Sequence, residues 1–139
     1  MAKHRTQYAA LPFSITDNGP QILLINSRET RRWIIPKGWP EKGLRPHELV
    51  AREAYEEAGV VGKARKRPVG SFRDEKRLTA RKAVSCRVEV YLLEVERELN
   101  EWPEKGQRER RWMTPSQAAL LVSEEGLVEM LLRLGIPQE

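Results

Sequence analysis

The sequence predicts an α/β (α+β) domain in which helices pack on a β-sheet. Three features support this class: two apolar strands flanking a turn signal, one strand with period-two alternation, and helices with recognisable caps. At 139 residues the chain is long enough for one hydrophobic core and too short for two. We therefore expect residues 1–139 to form a single domain.

The N-terminal part of the chain predicts three extended segments. Residues 8–13 (YAALPF) and 21–26 (QILLIN) are apolar enough for strands buried on both faces. The Asn18-Gly19 pair between them is typical of a hairpin turn. Residues 31–36 (RRWIIP) are a third short extended piece, and the glycines and prolines that follow predict a loop.

A helix is predicted over residues 46–58. Pro46 suits the first helical turn, and Gly59 suits the position just past the end. The residues expected on its core side are Val50, Ala51, Ala54, Tyr55 and Ala58.

The clearest strand covers residues 84–92 (VSCRVEVYL), whose apolar and polar residues alternate. The residues expected to face one side are Val84, Cys86, Val88, Val90 and Leu92. Cys86 is the single cysteine, so it forms no internal disulfide, and we interpret it as a buried core thiol.

The C-terminal part predicts a short strand and then two helices. Thr114 is a suitable N-cap, followed by Pro115 and by Gln117, which completes a capping box. A last helix over 124–134 is expected to stop at Gly135. Its apolar face consists of Leu127, Met130, Leu131 and Leu134.

Composition and charge favour a cytoplasmic protein with an anionic partner. No apolar run approaches the roughly 20 residues of a membrane span, and the first ten residues are polar and basic rather than an apolar signal segment. The net charge is +5 and is concentrated in clusters. Such clusters indicate a phosphate-rich small molecule or nucleic acid as the partner.

Three glutamates on the predicted 46–58 helix suggest a metal site. Glu53, Glu56 and Glu57 share one face about 100° wide, where like charges repel and Arg52 alone cannot neutralise them. A Mg²⁺ ion held by Glu53 and Glu57 would remove that repulsion, and Glu56 would then serve as a base. The alternative is a solvated acidic surface.

Two residues before the helix fit the same chemistry. Gly38 has no side chain, so its backbone can approach a metal or a phosphate closely. Lys37 supplies a point charge suited to a phosphate.

Residues 38–60 (GWPEKGLRPHELVAREAYEEAGV) resemble the Nudix box, in which a glycine is followed at fixed spacing by a glutamate and by the Arg-Glu and Glu-Glu pairs. The matching residues are Gly38, Arg52, Glu53, Ala54, Glu56, Glu57, Gly59 and Val60. Leu44 stands where the pattern has its first glutamate, which in the family usually supports the loop and the box arginine.

Segments outside the box, 25–38, 69–95 and 101–122, resemble the branch that hydrolyses diphosphoinositol polyphosphates and diadenosine polyphosphates. The resemblance implies helices around a mixed sheet, in an α/β/α sandwich, and cleavage of a phosphoanhydride with Mg²⁺, for which Mn²⁺ can substitute. By the same resemblance Gly38, Glu53 and Glu57 hold the metal. Glu56 is the proton acceptor, and Arg52 orients the glutamates through an ion pair.

Clusters of basic residues are the predicted contacts to substrate phosphates, because arginine binds phosphate in a bidentate manner. The residues assigned to substrate are Arg28, Arg32, Lys37, Arg81, Lys82, Arg108 and Arg110. The alternative is that stretches such as RDEKR and GQRERR are ordinary solvated loops. Aromatic residues are 6% of the chain, which disfavours nucleobase recognition, although Trp39 and Trp33 offer stacking surfaces.

Three functions follow. The first is a Mg²⁺-dependent pyrophosphohydrolase that acts on diphosphoinositol polyphosphates, dinucleoside polyphosphates or polyphosphate. The second is a hydrolase with the same metal site whose substrates are nucleoside triphosphates, nucleotide sugars or the 5′ end of RNA. Nucleic acid is expected as a partner only in this last form. The third is a binding module without turnover. No obligate protein partner and no membrane association are expected.

Overall fold

The computed structural model describes residues 5–134, apart from the side chain of Lys76. The described chain forms eight strands and three helices: four strands, the first helix, four more strands and the last two helices. The strands are β1 Arg5–Thr16, β2 Gly19–Asn26, β3 Trp33–Ile34, β4 Lys37–Gly38, β5 Val60–Ala64, β6 Gly70–Arg77, β7 Ala83–Glu98 and β8 Arg110–Met113. The helices are α1 Pro46–Glu53, continued by a π-helical turn Ala54–Ala58, then α2 Pro115–Leu121 and α3 Glu125–Arg133.

All eight strands belong to one mixed sheet. Its main path runs β3-β2-β1-β7-β5, with β4 paired to β1, β6 to β7 and β8 to β2. β1 and β7 are parallel, with Gln7 opposite Val88, and the other pairs are antiparallel.

Hydrophobic cores lie on both faces of the sheet. On one face, alternate residues of β1 and β7, such as Leu11 and Val88, pack with α2 and α3. On the other face, Ala10 and Leu93 pack against α1 and the π-helical turn. The result is the expected α/β/α sandwich, and it places the acidic helix beside the central strands.

Several predicted elements are confirmed. Thr16 pairs with Gly19 across the hairpin turn, and Gly19 has a φ of 100°. Thr114 caps α2 through a capping box with Gln117. On β7 the predicted apolar face faces the core: Cys86, Val88, Val90 and Leu92 are buried, and Val84 is half-buried.

The last helix also follows the prediction. Leu127 and Leu131 of α3 are buried, and Met130 and Leu134 pack against the same core. The stop predicted at Gly135 lies outside the described residues.

Other predictions were wrong in detail. Tyr55 was expected in the core but is 41% exposed, because the π-helical turn takes it off the α-helical apolar stripe. Lys37 and Gly38, expected in a loop, form β4. β6, which contains the RDEKR stretch, was missed because Phe72 is its only fully buried residue among those whose burial is described.

No helix in the described part of the chain is long and apolar enough to cross a membrane.

Candidate active site

The acidic helix, formed by α1 and the π-helical turn that continues it to Ala58, has a defined residue at each end. Pro46 occupies its first turn, and the backbone amide of Arg45 donates to Glu48 Oε1 at 2.9 Å. At the other end Gly59 adopts a left-handed conformation with φ 68°, and its amide reaches the carbonyls of Ala54 and Tyr55. A π-helical turn widens the helix locally, and such turns are frequent at functional sites. It holds Glu56 and Glu57.

Arg110 secures the C-terminal end of this helix. Its Nη1 donates to the carbonyls of Ala58 at 3.0 Å and Gly59 at 3.1 Å, and its Nη2 donates to Leu99 O at 2.9 Å. The guanidinium lies 4.1 Å from the centroid of the Trp102 ring. A cation at a helix C-terminus also interacts favourably with the helix dipole. The structure thus places Arg110, assigned to substrate from the sequence, on backbone carbonyls.

Glu53 and Glu57 form a close carboxyl pair within this helix. Glu57 is only 8% exposed, and burial together with the Glu53 carboxyl raises its pKa from 4.5 to about 9. Burial also raises the pKa of Glu53. Such a pair favours a shared proton or a shared cation over two free negative charges.

Gly38 lies directly against this pair. A Cβ atom built on Gly38 would lie 2.7 Å from both Cδ and Oε2 of Glu53, so no other residue fits without displacing the carboxyl. The pairing of Gly38 with Tyr8 between β4 and β1 fixes this approach. The backbone of Gly38 therefore lies close to the Glu53 carboxyl, and carboxylate oxygens are ligands that a hard divalent cation takes.

Glu56 is separate from the pair. Its side chain is 39% exposed and lies 3.9 Å from Nε of Arg52. Its carbonyl accepts a hydrogen bond from the amide of Glu104 at 3.1 Å. Of the three glutamates, the structure brings Glu53 and Glu57 together and leaves Glu56 accessible beside them.

The donor set suits a hard divalent cation that is completed by its substrate. Within residues 5–134, no three histidine, cysteine, aspartate or glutamate side chains converge closely enough to hold a metal by themselves. Mg²⁺ commonly takes one or two carboxylates and receives its other ligands from phosphates and water. The Glu53–Glu57 pair with the backbone of Gly38 fits that pattern.

Arg52 is held by a residue that the sequence analysis missed. Its Nη1 and Nη2 each donate to one oxygen of Glu41 at 2.9 Å, while Nη2 lies 3.6 Å from Glu53. The hydrogen bonds from Arg52 lower the pKa of Glu41 and raise that of Arg52. The signal was a glutamate three residues before Leu44 in the same loop.

Arg108 places a positive charge beside Glu57 and Glu104. Its side chain is 9% exposed, with Nη2 4.0 Å from Glu57 Oε1 and Nε 2.7 Å from Glu104 Oε1. Its Nη1 donates to the carbonyl of Asn26 at 3.1 Å. The negative charge around Glu57 is therefore balanced by a residue that is distant in sequence and adjacent in the fold.

The remaining predicted cations lie at different places. Nζ of Lys37 contacts Asp74 at 2.6 Å, and Nη1 of Arg28 donates to Gln107 at 3.0 Å. Nη1 of Arg32 donates to Ser123 Oγ at 3.1 Å. The last two predicted cations, Arg81 and Lys82, are exposed in the turn between β6 and β7.

A cleft of about 250 Å³ opens beside the carboxyl pair. Gly38 and Glu57 lie in its wall. Its basic residues are Arg28, Lys37 and Arg108, and its uncharged residues include Gln7, Ile34 and Trp39. Arg32, Arg81, Lys82 and Arg110 are not part of this wall.

Comparison with known proteins decides the family. The family model described as NUDIX domain matches residues 5–134. The chain belongs to the Nudix family. The resemblance carried by residues 38–60 is thereby confirmed, and the match extends over all the described residues, 5–134.

Curated relatives of this Nudix protein include plant and mammalian enzymes. Nudix hydrolase 12, mitochondrial, of Arabidopsis thaliana is 34% identical over 117 residues, which cover 82% of this chain and 58% of the relative. Diphosphoinositol polyphosphate phosphohydrolase 2 of Rattus norvegicus is 34% identical over 112 residues, covering 79% and 58%. The chain thus spans about three fifths of the length of these relatives.

Solved structures confirm the Nudix fold. A NUDIX hydrolase of Listeria monocytogenes superposes with a TM-score of 0.68 at 17% identity, covering 93% of this chain and 90% of the other. Ap4A hydrolase of C. elegans superposes with a TM-score of 0.65 at 15% identity, covering 94% and 95%.

Proposed function

We propose that this Nudix protein is a Mg²⁺-dependent pyrophosphohydrolase that cleaves a phosphoanhydride bond in a phosphate-rich substrate. The observation that carries the proposal is the carboxyl pair of half-buried Glu53 and buried Glu57. Glu53 lies against Gly38, and Glu57 lies in the wall of a cleft that also contains Arg28, Lys37 and Arg108. Mn²⁺ is expected to substitute for Mg²⁺. A divalent cation bound there would supply charge stabilisation for the phosphoryl oxygens.

Different residues of the site are proposed to bind the cation, bind the phosphates and accept the proton. Glu53, Glu57 and the backbone of Gly38 would hold the cation, and Arg28, Lys37 and Arg108 in the cleft wall would attract the phosphates. Glu56, accessible beside the pair, accepts a proton from the attacking water. The new bond joins the water oxygen to phosphorus, and the bond that breaks joins that phosphorus to the bridging oxygen, which leaves with the departing phosphate.

The substrates that best fit are diphosphoinositol polyphosphates, diadenosine polyphosphates or polyphosphate. Support comes from the names of the relatives, diphosphoinositol polyphosphate phosphohydrolase 2 and Ap4A hydrolase, and from the basic cleft. Nucleoside triphosphates, nucleotide sugars and RNA 5′ ends are the second group, which the exposed ring of Trp39 in the same cleft favours. A non-catalytic binding module is third.

Two further expectations accompany this proposal. Residues 1–139 are expected to act as one domain, without an obligate protein partner. The cytoplasm is the expected location, although Nudix hydrolase 12 is named as mitochondrial.

A hydrolysis screen tests the function. Purified protein with Mg²⁺ is compared on diphosphoinositol polyphosphate, diadenosine polyphosphates, nucleoside triphosphates, ADP-ribose and triphosphorylated RNA by kcat/KM. Glu57→Gln should abolish turnover, and Glu129→Gln, on the exposed side of α3, should leave it unchanged. Absence of hydrolysis of every substrate with Mg²⁺ and with Mn²⁺ would overturn the proposal.

A further inference from the structure

Gln7 is a buried polar residue in the wall of the candidate cleft. It is 3% exposed, and its Oε1 has no hydrogen-bond partner in the part of the chain that the structure describes. Buried side-chain amides are nearly always paired, so an unpaired one calls for a specific explanation. Glu57 and Gly38 lie in the wall of the same cleft.

The fold does not require an amide at this position. The backbone of Gln7 is held by the pairing of β1 with β7, opposite Val88. Along β1, residues with the same facing direction, Ala9 and Leu11, are apolar and buried in the core. A methionine or leucine would continue that pattern without stranding a polar atom. The amide therefore serves something other than packing.

The chemistry of an amide indicates its partner. The Oε1 atom of Gln7 is a hydrogen-bond acceptor, and so are the oxygens of an ionised phosphate. Two acceptors cannot pair, so a bound phosphate would leave Oε1 without a partner. A nucleobase edge presents a donor beside an acceptor, which satisfies both ends of a glutamine amide at once, as glutamine does with adenine in nucleic acids. The cleft already contains cations for the phosphates in Arg28, Lys37 and Arg108.

Trp39 provides a flat surface in the same cleft. Its side chain is 37% exposed, and the guanidinium of Arg5 lies 5.7 Å from the ring centroid. An aromatic ring of this kind can stack with a base. Ile34 adds apolar wall. Uncharged groups thus accompany the cations within one cleft.

We propose that Gln7 is a specificity-determining residue that hydrogen-bonds the nucleobase of a nucleotide substrate, with Trp39 as the stacking surface. The inference rests on the proposed function and narrows it to substrates with a nucleoside end. A fully phosphorylated inositol carries neither a base nor a free hydroxyl to satisfy the amide.

The test replaces the amide and retains the side-chain length. Gln7→Met is compared with Gln21→Met, a half-buried strand glutamine outside the cleft. kcat/KM is measured on diadenosine tetraphosphate, on its inosine analogue and on inorganic tripolyphosphate. We expect Gln7→Met to lower the value for diadenosine tetraphosphate about 10-fold, mainly through KM, and to abolish the preference for adenine over hypoxanthine. Tripolyphosphate turnover should not change, and Gln21→Met should alter none of these values.

Other outcomes separate the two proposals. Equal loss on diadenosine tetraphosphate and tripolyphosphate would assign Gln7 a structural role and overturn the inference, as would no loss on either. If no substrate is hydrolysed by the wild-type protein, the proposed function fails. AMP binding by isothermal titration calorimetry then decides: weaker binding to Gln7→Met alone supports the base contact, and equal or absent binding overturns it. Gln7→Leu replaces Gln7→Met if that variant does not fold.

Discussion

Arg52 and Glu41 are joined by two parallel hydrogen bonds of 2.9 Å, one from each terminal nitrogen of the guanidinium. Leu44 occupies the box position where the family pattern has a glutamate. The bidentate pair shows that a carboxylate three residues earlier in the loop contacts the box arginine instead. Arg52 in turn lies 3.6 Å from Glu53, so Glu41 is connected to the Glu53–Glu57 carboxyl pair through one side chain.

The first prediction is that Glu41→Gln slows the reaction. A neutral amide keeps the length of the side chain but weakens the charge-assisted bonds that orient Arg52. Partners of this kind around metal sites commonly contribute about 10-fold or more. We expect kcat to fall by about that factor with little change in KM, measured at saturating Mg²⁺ on the best substrate of the screen.

A second substitution at Leu44 provides the control. In the Glu41→Gln background, Leu44→Glu places a carboxylate at the usual box position and should restore part of the lost kcat. Glu101→Gln, which removes an exposed carboxylate paired with Lys105, should have no effect. An unchanged kcat in Glu41→Gln would show that Arg52 does not depend on this pair.

The sequence predicted the carboxyl pair and the glycine beside it better than it predicted their partners. Glu53 and Glu57 were identified because helical periodicity determines which side chains share a face, and Gly38 because it has no side chain and matches the box pattern. Arg108 and Arg110 were assigned to substrate phosphates. Their contacts with Glu57 and with the Ala58 carbonyl were missed because these contacts join parts of the chain that sequence patterns do not connect.

Local patterns failed where tertiary pairing determines the structure. The charged stretch in β6 forms a strand because it pairs with β7, and strand propensity depends strongly on such context. Tyr55 became exposed because a π-helical turn replaces the regular period, which the pattern assumed. The first difference arises from pairing outside the segment, and the second from a change of helical period within it.

The second prediction concerns the pH dependence of folding without metal. Burial and the Glu53 carboxyl raise the pKa of Glu57 from 4.5 to about 9 in the folded chain, so folding favours the protonated form. This contribution to the free energy of unfolding is fully present below pH 4.5 and is lost as the pH rises through about 9. Its slope is at most about 1.4 kcal/mol per pH unit.

Urea unfolding in EDTA between about pH 5 and pH 9 measures this effect. This range lies between the pKa of Glu57 in the unfolded chain, 4.5, and its pKa in the folded chain, about 9. Glu57→Gln cannot ionise, so its stability should fall less over the range than that of the wild type. Adding Mg²⁺ should stabilise the wild type increasingly as the pH rises, because the cation replaces the proton. Parallel pH curves for the two proteins would contradict the prediction.

The third prediction separates a structural role for Arg110 from a substrate contact. Arg110→Met removes the side-chain donor to the carbonyls of Ala58 and Leu99, and leaving a buried backbone group unpaired costs about 1–3 kcal/mol. The carbonyl of Gly59 also loses this donor but still accepts from the Leu99 amide at 2.8 Å. We expect a lower Tm and a reduced kcat, with KM for polyphosphates changed less than about twofold, since Arg110 lies outside the cleft wall.

Arg111→Met is the matched control for that experiment. Arg111 is the exposed neighbour on β8, and its guanidinium lies 5.0 Å from the centroid of the Trp33 ring. Its loss should cost at most about 1 kcal/mol, as exposed cation–π contacts do. A large rise in KM for Arg110→Met with an unchanged Tm would instead support the original assignment of Arg110 to substrate.

The fourth prediction tests the close approach of Gly38 to the carboxyl pair. Gly38→Ala places a Cβ atom 2.7 Å from Cδ of Glu53. The Glu53 carboxyl must then shift, either away from the Glu57 carboxyl or away from the backbone of residue 38. Displacement of a catalytic group by about 1 Å can cost on the order of 100-fold in rate. We expect kcat to fall by that order and the Mg²⁺ concentration for half-maximal activity to rise.

Gly70→Ala is the control, because there the new Cβ atom meets only the flexible end of Met130 at 3.0 Å. Equal activity of the two variants would show that the carboxyl pair does not depend on this backbone contact.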